Sequence, residues 1–366
     1  MYMALLRRRF LQTASIGLAA SALAAPALAQ SAPEIKWKLT SSFPKTLDLM
    51  FGGAQEFAQR VAEATGDKFQ IEVSAPGELA PAVQALDVVT NGTVDMCHTS
   101  LAYFSGKDPT FALATGIPFG MNARQQDAWA SFGGGNELFN EFLADYNAIA
   151  LPGGNSGARM GGWFRKELKA QEDLNGLKMR VGGFAAKILQ GFGVQPQPVA
   201  GADIYDALEK GTIDAASWVG PYDDEKAGFN KVAPFYYYPG WAEGSAMLHF
   251  CIDAKKWAGL PKSYQAILTA AAAETNSRML ARYDAANPAA LKRIIASGAQ
   301  LRPLSQDFLE ACWKAAQDLY DQTAQSNDKF KKVYESYTQF RGDEYLWWQV
   351  AEYTFDNYMI RQRAKT

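Results

Sequence analysis

Three consecutive acids are the first residues whose type and spacing could do chemistry. Asp223, Asp224 and Glu225 follow the segment IDAASWVGP, residues 213–221. Clustered carboxylates can ligate a cation, and a carboxylate pair can act as general acid and general base. Acids directly after a proline are also typical of the first turn of a helix, where they interact favourably with the helix dipole. We favour the helix interpretation, with a metal site or a catalytic acid pair as the alternatives.

Two arginines in glycine-rich stretches are candidates for binding an anion. Arg180 lies in GLKMRV and Arg159 in SGARMGGWF. A guanidinium can hold a carboxylate through two parallel hydrogen bonds, and nearby glycines let the backbone approach a ligand closely. The alternative is a surface arginine or a structural ion pair, and the pattern alone leaves both interpretations open.

The cysteines and histidines do not form a known catalytic or metal-binding pattern. The chain has three cysteines, Cys97, Cys251 and Cys312, and two histidines, His98 and His249. Cys97 and His98 are adjacent, but neighbouring side chains of a strand point to opposite faces, so we do not expect them to act together. The odd number of cysteines argues against a disulfide framework. The sequence also lacks the GxSxG, HExxH, Walker A and CxxC motifs.

The N-terminal segment has the features of an export signal. Arg7-Arg8-Arg9 precedes an alanine-rich apolar run that ends in Ala27-Leu28-Ala29, a small-x-small cleavage signal. This order predicts a twin-arginine signal peptide over residues 1–29 and a periplasmic protein. An alanine-rich surface helix is the alternative. The apolar run is too short for a spanning helix.

Composition restricts the class of protein further. The 366-residue chain is long enough for roughly two domains and has a formal net charge of −2. A mildly acidic chain without a basic patch does not predict a nucleic-acid partner.

The elements that would position the candidate residues follow an α/β rhythm. We predict strands over Trp37–Ser41 and Phe69–Ser74, a helix over Asp48–Ala64, and a second helix over residues 81–91. A helix, a glycine and a strand recur in PAVQALDVVTNGTVDMC, residues 81–97, and in ADIYDALEKGTIDAA, residues 202–216. This repeat predicts two α/β lobes with a largely parallel sheet and equivalent strands facing one cleft.

The rest of the chain gives the second lobe and a helical tail. GLKMRV reads as a strand, and apolar spacing after Pro261 predicts almost continuous helix. We predict lobe 1 mainly over 34–155 with a return over 245–290, lobe 2 mainly over 156–244, and a helical region over 261–366. The predicted helices of that region are Lys262–Tyr283, Pro288–Ser297, Ser305–Thr323, Lys329–Tyr337 and Asp343–Arg363. The last one is so aromatic that we expect the second lobe or a partner chain to cover it.

Several long motifs resemble a known family. GLKMRV and DIYDALEKGTIDA resemble the signature of the solute-binding proteins of TRAP transporters, the DctP-type family. PGGNSGARMGGWFR, WVGPYDDE, KVAPFYYYPGW and GKDPTFAL are similar to its 2-oxo-acid-binding, TakP-like subgroup. The resemblance implies two α/β lobes, of the type II-like architecture, with hinge strands and a long connecting helix, which close over an organic acid. It implies a receptor that delivers its ligand to a membrane permease, not an enzyme.

The resemblance also assigns roles to residues. It implies that Arg180 clamps the ligand carboxylate. In the subgroup a cation bridges the ligand, held by Gln at the position of Arg159, by Glu at the position of Ser217 and by the backbone beside Trp218. An arginine cannot ligate a cation, so we hypothesise that the guanidinium of Arg159 replaces the metal and that no cofactor is needed. A sodium or calcium ion held by Glu243 and backbone oxygens is the alternative.

The remaining predictions concern the ligand and the assembly. We expect Asn155 and Ser217 to donate hydrogen bonds, and Phe43, Tyr103 and Trp218 to form the apolar wall. Since the subgroup tends to carry more bulk at positions 102 and 105, SLAYFSG predicts a roomier pocket. We predict a 2-oxo or 2-hydroxy monocarboxylate, with a dicarboxylate, favoured by the additional positive charge, or an aromatic acid as alternatives. An exported hydrolase that uses the acid run is a distant alternative. The resemblance also implies a homodimer formed through the C-terminal helix.

Overall fold

The structure, a computed structural model, describes residues 33–363. The predicted signal peptide therefore lies outside the described residues. The strands are β1 Ile35–Ser41, β2 Phe69–Ser74, β3 Met96–Thr99, β4 Ala148–Asn155, β5 Gly162–Phe164, β6 Lys178–Arg180, β7 Gln195–Pro196, β8 Ala215–Ala216, β9 Phe235–Tyr238, β10 Met247–Asp253 and β11 Gln300–Pro303. The α-helices are α1 Asp48–Thr65, α2 Ala85–Thr90, α3 Phe111–Thr115, α4 Ala123–Phe132, α5 Gly135–Leu143, α6 Gly183–Gln190, α7 Ile204–Lys210, α8 Pro221–Ala227, α9 Ala254–Gly259, α10 Lys262–Ala296, α11 Gln306–Ser326, α12 Asp328–Val350 and α13 Glu352–Arg363.

The first sheet has five strands in the order β2-β1-β3-β10-β4. β1 and β3 are parallel, with Leu39 opposite Met96, whereas β10 is antiparallel to both β3 and β4. We expected a largely parallel sheet. The sheet is mixed because the chain returns as β10, which is buried along its whole length and lies between β3 and β4 in the opposite direction.

The second sheet has six strands in the order β11-β9-β5-β8-β6-β7. β6 is parallel to β7 and β8, and β5 is antiparallel to β8 and β9. Each sheet forms the centre of one α/β lobe.

The repeated helix–glycine–strand unit is present in both lobes. α2 leads into β3, and α7 leads into β8. Gly92 and Gly211 have φ angles of 78° and 72°, the left-handed conformation that glycine adopts most easily at the end of a helix. β3 lies parallel to β1 and β8 lies parallel to β6. The two units therefore place equivalent strands in the two sheets.

One helix of 35 residues, α10, connects the lobes. We predicted a break before Pro288, and this prediction is wrong because Pro288 lies inside the helix. A proline in a helix interior costs about 3 kcal/mol. The helix packs against α1 and β4 of the first lobe and against α8 of the second, and this packing outweighs the local cost.

The C-terminal helices are packed against the lobes at first and become exposed towards the end of the chain. α11 packs against α6, and α12 packs against α4 and α5. The first half of α12 buries Phe330, Val333 and Tyr337. Beyond residue 344 the large side chains are exposed, namely Tyr345, Leu346, Trp347, Val350, Tyr353, Phe355, Tyr358, Met359 and Ile360. Within residues 33–363 no part of the chain covers this aromatic face. Over the same residues, no helix combines the length and apolarity that crossing a membrane would require.

Candidate ligand-binding cleft

A cavity of about 510 Å³ lies where the strand ends of the two sheets meet. Ser100 follows β3 and Ser217 follows β8, and both serines line the cavity. The repeated unit thus brings an equivalent strand end of each lobe to one cleft. The cavity wall includes seven of the predicted site residues, Phe43, Tyr103, Arg159, Arg180, Ser217, Trp218 and Glu243.

Arg180 is held at the end of β6 by backbone carbonyls and an aromatic ring. Its Nη1 donates to the Ser217 carbonyl at 2.9 Å and its Nε to the Val199 carbonyl at 3.4 Å. Its guanidinium lies over the Trp218 ring, 5.0 Å from the centroid. Among the described residues no carboxylate lies within ion-pair distance of it. Burial lowers the pKa of Arg180, which shows that its charge is poorly solvated. A carboxylate bound here would supply the missing counter-charge.

Arg159 is engaged by the protein itself. It follows β4 in a loop, donates through Nη2 to the Trp218 carbonyl and forms an ion pair through Nη1 with Glu243. The side chains of Arg159 and Glu243 are only 18% and 25% exposed. Burial, and then the charge of Arg180, lower the pKa of Arg159. The sequence-based count of charge treated Arg159 as uncompensated, whereas the structure pairs it with Glu243.

Trp218 links the two arginines. Its carbonyl accepts from Arg159 and its ring lies under Arg180. The indole packs so closely on Gly201 that a Cβ at that position would lie 2.3 Å from the ring. Gly201 therefore lets the indole reach this position.

The part of the wall that the first lobe contributes is mainly apolar, with Ser100, Ser105 and Thr115 as its polar residues. Phe43 and Tyr103 lie with ring centroids 6.4 Å apart. Ala102 and Ser105, the small residues on which the prediction of a roomy pocket was based, both line the cavity. Their small side chains leave space beside the two rings.

Asn155 does not line the cavity. Its side chain is almost fully buried, and its Oδ1 accepts a hydrogen bond from the Gly157 backbone N–H at 2.8 Å. The asparagine thus shapes the turn that leads to Arg159. In this structure its amide is not positioned as the ligand donor that we expected.

Some cavity residues were not singled out from the sequence. Thr115 lines the cavity and accepts a hydrogen bond from the Ala102 backbone N–H at 3.1 Å. Gly182 and Gly183, at the start of α6, also line it, as does Gln197. The Gly182-Gly183 pair follows Val181 and belongs to the glycine-rich stretch beside Arg180 that the sequence had already indicated. Thr115 and Gln197 give no comparable signal, because only the fold brings them to the cavity.

The acid run begins α8, as predicted, but its first two acids are buried away from the cavity wall. Asp223 accepts a hydrogen bond from the Tyr283 hydroxyl at 2.7 Å. Asp224 accepts from the Trp163 indole N–H at 2.8 Å and from the Tyr236 hydroxyl at 2.7 Å. Burial raises the pKa of Asp223 to about 6 and that of Asp224 to about 7. Their hydrogen-bond donors are side chains of the protein core. The two acids therefore bond within the core and not in the cavity.

Two α/β lobes, a connecting helix and a cleft with two partly buried arginines define a solute-binding protein of the two-lobe class. Residues 40–327 match DctP, the family described as bacterial extracellular solute-binding protein, family 7. The chain belongs to this family, and both the family and the fold class inferred from the motifs are confirmed.

The relatives are similar over nearly their whole length. A monocarboxylate 2-oxoacid-binding periplasmic protein of Nostoc is 44% identical over 96% of this chain and 98% of its own. A TRAP solute-binding protein of Bordetella bronchiseptica, crystallised as a dimer with calcium and picolinate, is 46% identical with a TM-score of 0.88, covering 91% of this chain and 99% of its own. A Colwellia psychrerythraea protein with calcium and pyruvate is 32% identical with a TM-score of 0.86, covering 88% and 99%.

The cations of those structures raise the question of whether this cleft fits one. The oxygens best placed to ligate a cation are the Glu243 carboxylate and the Trp218 carbonyl, and Arg159 engages both. The described residues contain no group of three or more acidic, histidine or cysteine side chains suited to a metal ion. In this structure Arg159 therefore takes up the two oxygens that a cation between ligand and protein would use.

Proposed function

We propose that this protein is the periplasmic receptor of a TRAP transporter and that it binds a 2-oxo or 2-hydroxy monocarboxylate. The observation that carries the proposal is a cavity in which Arg180 has no counter-ion among residues 33–363, while the first lobe contributes a mainly apolar wall. The ligands of the similar proteins, pyruvate, picolinate and 2-oxo acids, support this class of ligand.

The carboxylate would bind Arg180, whose guanidinium is held in place by Ser217 and Trp218. None of the described hydrogen bonds uses Nη2 of Arg180, so this atom is available to a ligand oxygen. The remainder of the acid would lie against Phe43 and Tyr103. A charged hydrogen bond in a buried site contributes more than one at the surface, which makes Arg180 the main determinant of affinity.

We also propose that binding does not require a cation. The guanidinium of Arg159 lies between the Trp218 carbonyl and the Glu243 carboxylate. It supplies positive charge and hydrogen-bond donors at a place where two oxygens would otherwise attract a metal ion.

Calorimetric titration tests the receptor function and the cation together. After treatment with a chelator, pyruvate would be titrated into the full-length mature protein in sodium chloride, in choline chloride and in choline chloride with added calcium. We expect affinities within about twofold of each other, because Arg159 is permanently charged. An affinity that falls tenfold or more without a cation would contradict the cation-free site. The absence of any monocarboxylate binding would contradict the receptor function itself.

An aromatic acid is a second candidate ligand. Ala102 and Ser105 leave space beside Tyr103, and the Bordetella bronchiseptica relative contains picolinate. The same titration with picolinate decides between the two, since an affinity at least tenfold above that for pyruvate would favour the aromatic acid.

The sequence and the family support a further proposal about where this receptor works and what it contacts. We propose export by the twin-arginine route through residues 1–29, delivery of the ligand to TRAP permease subunits and no catalytic role. We further propose a homodimer in which the exposed aromatic face of α12 and α13 is covered by a second copy. A dimer of the Bordetella bronchiseptica relative supports this part of the proposal.

A further inference from the structure

We infer that Glu243 is a specificity-determining residue that limits the cleft to acids with a single carboxylate. This inference rests on the proposed function, because it names the class of acid that the same site accepts. It is based on the position of Glu243, on its partner and on the charges of the cavity wall.

Glu243 lies on the cavity wall in the segment between β9 and β10. Its carboxylate forms an ion pair with Arg159, and both side chains are largely shielded from water. Arg159 also donates to the Trp218 carbonyl, which fixes the guanidinium against the wall. Glu243 therefore occupies the position of a carboxylate that a ligand would otherwise present to Arg159.

The charges of the wall add up to a site for one anion. Among the described residues that line the cavity, the charged ones are Arg159, Arg180 and Glu243. Glu243 compensates Arg159, which leaves the single positive charge of Arg180. One ligand carboxylate would neutralise this remaining positive charge.

A second ligand carboxylate would find no cation of its own. To reach Arg159 it would have to displace Glu243, and that carboxylate would then be left unpaired in a partly buried place. An unpaired buried charge is strongly unfavourable, and like charges facing each other suppress the wrong partner. The two arginines alone would predict a dicarboxylate receptor, and Glu243 reverses this expectation.

The variant Glu243→Gln tests the inference because it removes the charge and keeps the size and a hydrogen-bond acceptor for Arg159. Pyruvate and 2-oxoglutarate, which share the 2-oxo acid group and differ in one carboxylate, would be titrated into both proteins by calorimetry. We expect the unchanged protein to prefer pyruvate, and the variant to bind 2-oxoglutarate at least tenfold more tightly than the unchanged protein does. Glu78→Gln is the matched control, since Glu78 is paired with Lys45 and does not line the cavity.

Four results would speak against the inference, and they can be told apart. A preference of the unchanged protein for 2-oxoglutarate, or the same affinity for 2-oxoglutarate in both proteins, would overturn it while leaving the receptor function intact. Binding of neither acid to the unchanged protein would overturn the proposed function, and the inference with it. If Glu243→Gln does not fold, Arg159→Gln replaces it. This variant leaves Glu243 and Arg180 to cancel each other, and we expect at least a tenfold loss of pyruvate affinity. Unchanged affinity would overturn the inference.

Discussion

Arg159 and Arg180 lie in one cavity, but their surroundings give them different roles. Arg159 is balanced by Glu243, whereas within residues 33–363 Arg180 donates to carbonyl oxygens alone and lies over the Trp218 ring. A buried arginine without a counter-ion is poorly solvated, so binding an anion relieves an unfavourable state. The two residues therefore differ in whether a carboxylate of the protein compensates their charge.

The variant Arg180→Ala should lose ligand binding and keep its fold. Removing one partner of a buried charged hydrogen bond typically weakens binding by about 2–5 kcal/mol, and the side chain contributes little to the hydrophobic core. Calorimetric titration with pyruvate measures the loss, and circular dichroism verifies the fold.

Arg278→Ala provides the matched control for that variant. Arg278 is half-exposed, pairs with Glu56 on the surface and does not line the cavity. Equal affinities of the Arg180→Ala and Arg278→Ala proteins would contradict the role of Arg180 as the carboxylate clamp.

At the scale of elements, the start of α8 shows how one helix ties the second lobe to α10. Asp224 accepts hydrogen bonds from Trp163 of β5 and Tyr236 of β9, and Asp223 accepts one from Tyr283 of α10. Burial raises the pKa values of both acids, so ionising them in the folded protein is unfavourable. The same acids that begin the helix thus make the stability of the protein depend on pH.

The variant Asp224→Asn should change how the free energy of unfolding depends on pH. The folded protein keeps the proton of Asp224 up to about pH 7, whereas the unfolded chain releases it near pH 4. Between these values the folded state binds more protons, so this residue makes the unfolding free energy fall as pH rises, by up to about 1.4 kcal/mol per pH unit. We expect the slope of the unfolding free energy against pH to be more positive in the variant than in the unchanged protein when urea unfolding is measured from about pH 4.5 to pH 7.5.

The pH dependence of stability must be compared between the unchanged protein and the variant. Other buried groups change the unfolding free energy with pH in the opposite direction. Burial lowers the pKa of His98 to about 4 and that of His249 to about 3, so these residues make stability rise with pH below about 6.5. Both histidines are present in the two proteins, and their contribution cancels in the difference. Asp206→Asn, at an exposed position of α7, is the control. Identical slopes in the unchanged and Asp224→Asn proteins would show that Asp224 does not bind the proton in the folded state.

At the scale of the whole molecule, the exposed aromatic face of α12 and α13 is a surface that no other part of residues 33–363 covers. Trp347 and Tyr353 are 57% and 63% exposed, and soluble monomers rarely expose contiguous apolar patches of this kind. The connecting helix and the C-terminal helices pack on both lobes, so a second copy on this face would lie on helices that contact the lobes directly.

We expect the protein to elute as a dimer in size-exclusion chromatography with light scattering. The double variant Trp347→Glu/Tyr353→Glu should be a monomer that still binds pyruvate, because neither residue lines the cavity. Gln349→Glu, an exposed position of the same helix, adds charge without removing an aromatic ring and should stay dimeric. A monomeric unchanged protein would exclude the proposed dimer.

The sequence by itself determined the class of the protein and much of its architecture. Helix and strand periodicity depends on neighbours in the chain, so the α/β rhythm and the helix–glycine–strand repeat could be predicted, and the motif around Arg180 identified the family.

The tertiary structure decided the rest. Pro288 stays helical because both lobes pack on α10, and Asn155 is turned towards Gly157. Glu243 forms an ion pair with Arg159, which lies 84 positions earlier in the sequence, and no local sequence pattern predicts such a contact. The charge of the cleft, and with it the number of carboxylates it accepts, therefore depends on the fold.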